Sequence, residues 1–228
     1  GSVCTVTEDT AYPFEDDVRF RFAFDRRGRH DMSLSLRIPQ WASSFTLSLN
    51  GREVPYTLTE GGFACVEGSF RSGDELAISF EIPIEVKDLD GQGDYVTRGP
   101  VLYTFAIPEE CTEDTETYPY IHGKESADPE FKSWNKTPAA DWNYALKGVK
   151  ASDLTLERTG SGAYPVDEPA CRISVPVVQI RDWVLDEGVF TPENPAVAVP
   201  VDGAEVKHID LVPYGGTYLR LTVFPVVE

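Results

Sequence analysis

The sequence predicts an all-β protein built from two antiparallel β-sandwich domains with jelly-roll-like strands. Short segments repeatedly alternate apolar and polar residues, which is the period of a half-buried strand. Turn-forming pairs separate these segments at the spacing of a sandwich. No stretch of eleven or more residues keeps a helical apolar period. The chain has 228 residues, 41% of them hydrophobic, which is enough for packed cores.

The strands of the first half are the clearest. Residues 18–24 read VRFRFAF, which places Val18 and three phenylalanines on one face and two arginines on the other. The same alternation returns at 34–38, 45–49 and 76–82. We therefore expect a sandwich of about seven short strands in the first hundred residues.

Glycine-containing pairs mark the turns between these strands. Asn50-Gly51 lies between two strand-like segments, and both residues accept the positive φ of a tight hairpin loop. Gly61-Gly62 and the segment 72–74 (SGD) predict further turns.

An acidic run divides the chain. Residues 109–116 read EECTEDTE, and five acids in eight residues repel one another. We expect a linker at 107–117, a first domain at 1–107 and a second, loop-rich domain at 108–228, with a long surface loop at 186–204. Strand-like segments of the second half are 142–146, 154–156, 173–177, 206–211 and 218–223.

The net charge of −18 restricts the partners. Such a surface repels phosphate backbones and anionic lipids, so we expect neither nucleic acid nor a membrane as a partner. Neutral sugars remain compatible, since aromatic faces and hydrogen bonds bind them.

The cysteines predict no metal site. Cys4, Cys65, Cys111 and Cys171 are at least 46 residues apart, and the three histidines are scattered. Structural zinc sites use closely spaced ligand pairs, so we expect neither a metal nor another cofactor. Free thiols and one disulfide both remain open.

No catalytic residue is predicted. The 38 acids guarantee chance pairs, and none lies in a recognisable catalytic context. The segment 88–94 (DLDGQGD) has some oxygen ligands for calcium, but position twelve of an EF-hand would be Gly99. We interpret this segment as a glycine-rich turn.

Aromatic residues are the candidate contacts for a glycan or an interface. Trp134, Trp142 and Tyr144 crowd the segment 132–146, where exposed rings could stack on sugars. The alternative is a buried cluster, because large aromatics usually bury their area. Trp41, after a predicted strand, is a further candidate contact.

Six strings in order resemble a known family. They are YPF (12–14), LSLRIPQWA (34–42), LNG (49–51), GD (73–74), RGPVLY (98–103) and LVPYGGTYLRLTVFP (211–225). Together they resemble the C-terminal β-sandwich region of the β-L-arabinofuranosidases, glycoside hydrolase family 127 and its relatives. The resemblance covers 12–105 and 205–225, and extends to 110–200 only through WNYAL (142–146).

The resemblance implies a non-catalytic region. In that family a preceding α/α-barrel domain carries the chemistry, with a zinc-bound cysteine nucleophile. None of the four cysteines matches its motifs, so no catalytic residue is carried over. Gly1-Ser2 is typical of a tag remnant, and we expect a C-terminal fragment of a longer enzyme. That parent would be periplasmic or secreted, although the fragment itself does not reveal its location.

Three hypotheses follow. The first is an accessory region that supports the catalytic barrel, its substrate entrance or an oligomer contact. The alternative is a carbohydrate-binding module with its own affinity for glycans, such as plant-type glycans. An autonomous enzyme is the third. If the barrel is the partner, Trp41 and residues 12–14 are candidates for an apolar face, through which the chain could also self-associate.

Overall fold

The computed structural model describes residues 1–114, 134–160, 168–185 and 192–227. These residues form β-strands and two one-turn 3₁₀ segments, Ala151–Asp153 and Tyr214–Gly216. The predicted all-β class with antiparallel sheets is confirmed. No helix long and apolar enough to span a membrane occurs in the described residues.

Contacts divide the chain into two compact units. The first contains residues 1–85 and 98–101, and the second contains 86–97 and 102–228. This division lies earlier than the predicted boundary at 107. The strands of the segments 86–97 and 102–106 belong to the same sheet as later strands of the chain.

The first unit contains two antiparallel sheets. The five-stranded sheet has the order β1-β2-β8-β4-β5, so β1 is an edge strand, and the three-stranded sheet has the order β3-β7-β6. The strands are β1 (Cys4–Thr10), β2 (Asp17–Phe24), β3 (His30–Arg37), β4 (Ser44–Leu49), β5 (Arg52–Glu53), β6 (Thr57–Leu58), β7 (Phe63–Phe70) and β8 (Glu75–Glu81).

Alternate residues of both sheets form the core of this unit. Phe22, Leu47 and Ile78 of the larger sheet pack in one cluster with Val66 and Phe70 of the smaller sheet. The rings of Phe22 and Phe70 lie 5.1 Å apart. The period-two pattern therefore predicted correctly which face of each strand is buried.

A buried carboxylate connects the turns of this unit. The side chain of Asp74 is 6% exposed and accepts hydrogen bonds from Asn50 Nδ2 (3.0 Å) and from the Arg71 backbone N–H (2.9 Å). Asn50 Oδ1 accepts in turn from the Glu75 N–H at 3.0 Å. Burial by itself raises the pKa of Asp74, but the hydrogen bonds from Asn50 and Arg71 and the charge of Arg71 outweigh it, so the pKa is lowered.

Asn50 and Gly51 form the predicted hairpin loop. Leu49 pairs with Arg52, and the loop residues have φ values of 53° and 76°. Both values lie in the left-handed region that a type I′ turn requires.

The second unit is built on one nine-stranded sheet that curls as a half-barrel. The main order is β19-β14-β16-β17-β11-β10-β9, with β15 beside β16 and β18 beside β11. The strands are β9 (Ile84–Asp88), β10 (Asp94–Arg98), β11 (Val101–Ala106), β14 (Tyr144–Lys147), β15 (Leu156–Arg158), β16 (Cys171–Gln179), β17 (Lys207–Pro213), β18 (Arg220–Leu221) and β19 (Val226–Val227).

The acidic run is not a linker where it is described. Glu109–Glu113 forms β12 and pairs in register with β13, Trp134–Pro138. Lys136 on β13 forms an ion pair with Glu109, and this compensates one charge of the run. Residues 115–117 lie outside the described residues, as do 186–191 of the expected surface loop. Residues 192–204 contain no strand.

The segment 88–94 is the glycine-rich turn expected between two strands. The Asp88 carboxylate accepts the Gly91 N–H at 2.9 Å, and the Leu89 N–H donates to the Gly93 carbonyl at 2.8 Å. Asp90 and Gly91 have positive φ values of 48° and 75°. The turn is closed by hydrogen bonds within the segment, one of them to a side chain.

The Asn50-Gly51 loop gives a first prediction. Gly51→Ala should lower the free energy of unfolding by about 1 kcal/mol, because an L-residue is strained at positive φ. Gly61→Ala is the matched control, since Gly61 lacks a positive φ and a Cβ there meets only ordinary contacts. Urea denaturation measures both, and equal stabilities of the two variants would contradict the strain.

The buried carboxylate gives a second prediction. Because its pKa is lower in the folded state, ionised Asp74 stabilises the fold above the unfolded value of about 4, and this contribution is lost as pH falls through the folded pKa. Asp74→Asn should therefore cost about 1–3 kcal/mol at pH 7. Its deficit relative to the wild type should shrink below about pH 4.

Thermal melts of the wild type and Asp74→Asn from neutral to acidic pH would show this narrowing. Asp31→Asn removes an exposed carboxylate of the same unit and serves as the control. A deficit of Asp74→Asn that stays constant with pH would argue against an ionised Asp74 as the cause.

Candidate functional site

Three separate segments meet at one end of the first unit. Residues 11–16 follow β1, residues 38–43 follow β3, and residues 98–101 return to this unit after β10. The peptide bond between Tyr12 and Pro13 is cis. Three of the strings noted in the sequence, YPF, QWA and RGP, are therefore neighbours in space.

Trp41 is the centre of this end. Its ring stacks on Tyr12, with centroids 6.0 Å apart and an interplanar angle of 19°. On its other side it contacts the edge of Phe80, at 5.7 Å and 68°. Trp41 thus connects an outer ring to a ring of the core.

Gly99 lies beneath the Trp41 ring. Its φ is +56°, and a Cβ at this position would come within 3.0 Å of Ile82 Cγ2 and 3.3 Å of the Trp41 ring. A larger residue would be strained and would displace the indole. This close approach explains why a glycine follows Arg98.

A nearly buried ion pair fixes the segment 11–16. Arg98 Nη2 donates to Asp16 Oδ1 at 2.6 Å, and the two side chains are 7% and 32% exposed. The Phe80 N–H donates to the backbone carbonyl of Asp16 at 3.0 Å. Removing one partner of such a pair typically costs about 3–5 kcal/mol, because the other charge stays buried.

The outer side of this end is accessible. Tyr12 is 40% exposed, while Pro13, Phe14 and Trp41 are half-buried. We call these four residues the aromatic surface. Partial burial raises the pKa of the Tyr12 hydroxyl, so it remains a neutral hydrogen-bond donor at pH 7. The arrangement favours packing or stacking over bond-breaking chemistry, because the nearby charges of Asp16 and Arg98 neutralise each other.

The structure places Trp134, Trp142 and Tyr144 in different surroundings. Tyr144 is only 5% exposed; its hydroxyl accepts from Lys207 Nζ at 2.6 Å, and its ring meets the ring of Phe105 at 5.7 Å. It lies in the core of the second unit, where the next two residues of β14 are buried as well.

Trp142 also packs inward. Its ring meets the edge of Trp183 at 4.9 Å and 60°, and Trp183 is 4% exposed. Trp183 Nε1 donates to the Glu193 carbonyl at 3.0 Å. Trp142 is half-buried against Trp183, a residue that the sequence did not single out because it lies in an irregular segment.

Trp134 is the member of the predicted cluster that remains open to solvent. It is 53% exposed on β13, two residues before Lys136 and therefore on the same strand face. Lys136 Nζ lies 4.4 Å from the ring centroid of Tyr218, which is 60% exposed. Trp134 and Tyr218 thus lie on either side of Lys136. The sequence did not predict this grouping because the two aromatic residues are far apart along the chain.

All four cysteines lie in the described residues, and none of them forms a disulfide. Cys171 is buried and lies 3.2 Å from the Tyr103 hydroxyl, and Cys65 is half-buried beside Ser35. Within the described ranges, no group of three or more His, Cys, Asp or Glu side chains is placed to hold a metal ion.

A family model matches the first part of the chain. Residues 2–82 match the model described as "Beta-L-arabinofuranosidase, GH127 middle domain". The sequence predicted a C-terminal region of that family, whereas this model describes a middle domain. The position within a longer protein stays a prediction.

Solved structures have a similar fold over nearly the whole chain. A GH127 beta-L-arabinofuranosidase from Geobacillus stearothermophilus T6 is 19% identical with a TM-score of 0.56, covering 95% of this chain and 28% of its own. A structure described as a glycoside hydrolase is 17% identical with a TM-score of 0.56, covering 100% of this chain and 34% of its own.

A GH127 beta-arabinofuranosidase is 15% identical with a TM-score of 0.60, covering 99% of this chain and 32% of its own. The chain thus spans about a third of the length of these proteins. At such identities the likeness concerns the fold alone. No curated protein is similar enough in sequence to match the chain.

Proposed function

We propose that this chain is a non-catalytic accessory β region of a glycoside hydrolase related to the β-L-arabinofuranosidases. The match of residues 2–82 to the middle-domain model of that family carries the proposal. The fold supports it, since similar structures described as glycoside hydrolases share it over at least 95% of this chain.

In this proposal the chemistry belongs to a separate catalytic α/α-barrel domain. The relatives of known structure are about three times longer than the segment that this chain covers. The role of the β region is to support that barrel and its substrate entrance or an oligomer contact.

The aromatic surface is the proposed contact with the barrel. Intra-chain domain interfaces typically cover about 600–1,500 Å² and contain aromatic residues with a polar rim. Tyr12 and Trp41 offer stacked apolar area, and the Arg98–Asp16 pair holds the supporting segment rigid. Rigid aromatic residues lose little conformational entropy on docking.

Reconstitution tests this proposal. The isolated chain should not hydrolyse an aryl β-L-arabinofuranoside, with or without zinc. A separately expressed barrel from the same gene should gain thermal stability when this chain is added. Tyr12→Ser/Trp41→Ser should weaken that association by roughly tenfold or more, since both proposed contact rings are lost.

Trp134→Ser is the control, because it removes an exposed tryptophan from the second unit. Circular dichroism melts of the isolated variants separate lost contact from lost folding. Hydrolysis by the isolated chain that a point mutation abolishes would overturn the proposal. A barrel that is equally stable and active without the chain would also overturn it.

A carbohydrate-binding module is the second candidate function. The exposed rings of Trp134 and Tyr218 favour it, because aromatic rings that are open to solvent are suited to stacking on sugar rings. In this case the glycan would bind to the second unit.

Affinity electrophoresis in gels containing soluble arabinan or arabinoxylan tests this candidate. Retardation of the wild type should be lost in Trp134→Ala and kept in Trp41→Ala, because only Trp134 belongs to the proposed platform. Equal mobility of the wild type with and without glycan would exclude these glycans as ligands.

A further inference from the structure

The loop between β2 and β3 is basic in a strongly acidic protein. Residues 25–29 read DRRGR, within a chain of net charge −18. Arg26, Arg27 and Arg29, together with Arg71 from the turn before β8, line a cleft of about 410 Å³. This basic cleft lies where β2 ends, whereas the aromatic surface lies where β2 begins.

The carboxylates beside the basic cleft are already engaged. Asp25 Oδ1 accepts from the Val3 N–H at 2.9 Å and from the Ser2 hydroxyl. Asp74 is held by Asn50 and Arg71. Among the described residues, the side chains of Arg26 and Arg27 have no hydrogen bond or ion pair. Positive charge therefore remains available in the cleft.

Local contacts hold the frame of the cleft. The Arg29 guanidinium donates to the Ser69 carbonyl at 2.8 Å, and the Phe24 and His30 rings stack at 4.2 Å. Ser72 Oγ accepts the Phe24 N–H at 2.9 Å, which connects β2 to the turn that carries Arg71. The loop is therefore fixed on both sides of the two free arginines.

Guanidinium groups bind carboxylates and phosphates through paired hydrogen bonds. A long, densely charged polyanion would be repelled by the overall charge of −18, whereas the carboxylates of a short oligosaccharide meet mainly the local positive charge. The volume of about 410 Å³ is within the range of small-ligand sites.

We propose that the basic cleft binds the carboxylate of a uronic acid residue in a glycan chain. This inference rests on the proposed role in a glycan-degrading enzyme, and it adds an acidic sugar to the ligands of that enzyme. The carboxylate would pair with Arg26 and Arg27, and the Phe24 ring at the cleft wall would contact the sugar. The site would hold acidic glycans near the enzyme without taking part in hydrolysis.

Nuclear magnetic resonance titration of the full chain tests the site. Trigalacturonate should shift the amide signals of residues 24–29 and 71–72, and neutral galactotriose should not. Arg26→Gln/Arg27→Gln should weaken binding by roughly tenfold or more, because both free guanidinium groups are lost. Salt at about 0.5 M should weaken it as well.

Arg37→Gln/Arg52→Gln is the matched control, since it removes two exposed arginines of the same unit outside the cleft. Equal binding of galactotriose, absence of trigalacturonate binding, or full binding by Arg26→Gln/Arg27→Gln would overturn the proposal. Inorganic phosphate that binds more tightly than trigalacturonate would also overturn it. Failure here leaves the accessory role intact, because that role is tested at the aromatic surface.

Discussion

The first unit depends on one buried carboxylate at the meeting point of its turns. The Asp74 carboxylate accepts hydrogen bonds from the Asn50 side chain and from the Arg71 backbone N–H. The backbone carbonyl of Asp74 accepts the Phe22 N–H at 3.1 Å. One residue thereby contacts the β4–β5 loop, the turn before β8 and the C-terminal half of β2. Because a partly satisfied buried network costs more than an apolar core, these partners form a unit in which none is dispensable.

The two ends of the first unit carry the two proposed sites. Strands of seven or eight residues rise about 3.3 Å per residue, so the two ends of β2 lie roughly 25 Å apart. The aromatic surface occupies one end and the basic cleft the other. Partners of different chemistry could therefore be bound at the same time, with the shared core keeping both sites in fixed positions.

Local patterns of the sequence predicted the first unit well. The alternation at 18–24 and 76–82 predicted both the strands and their buried faces, because every second residue of a strand must leave water. The hairpin loop was predicted equally well, since Asn50 and Gly51 alone determine its backbone conformation. The site was less predictable. The Arg98–Asp16 pair joins residues 82 positions apart, and no local pattern reports such a contact.

Two features of the second unit could not be predicted from local sequence patterns. Acids at 109–113 argued for a linker, yet Lys136 and the register with β13 place them in a strand. The sequence places Tyr144 among the candidate contacts, but the residue is buried together with the next two residues of β14, and its hydroxyl accepts a hydrogen bond from Lys207. In both cases the lysine that contacts the residue lies more than twenty positions away in the sequence.

The edge position of β1 has a consequence for solubility. An open strand edge can recruit the same edge of another molecule and start aggregation. Glu8 and Asp9 lie exposed along this edge, so two such edges that approach each other bring like charges together. Concentrated salt, which screens these charges, removes that protection. The acidity of the chain thus sets the conditions under which its molecules stay apart.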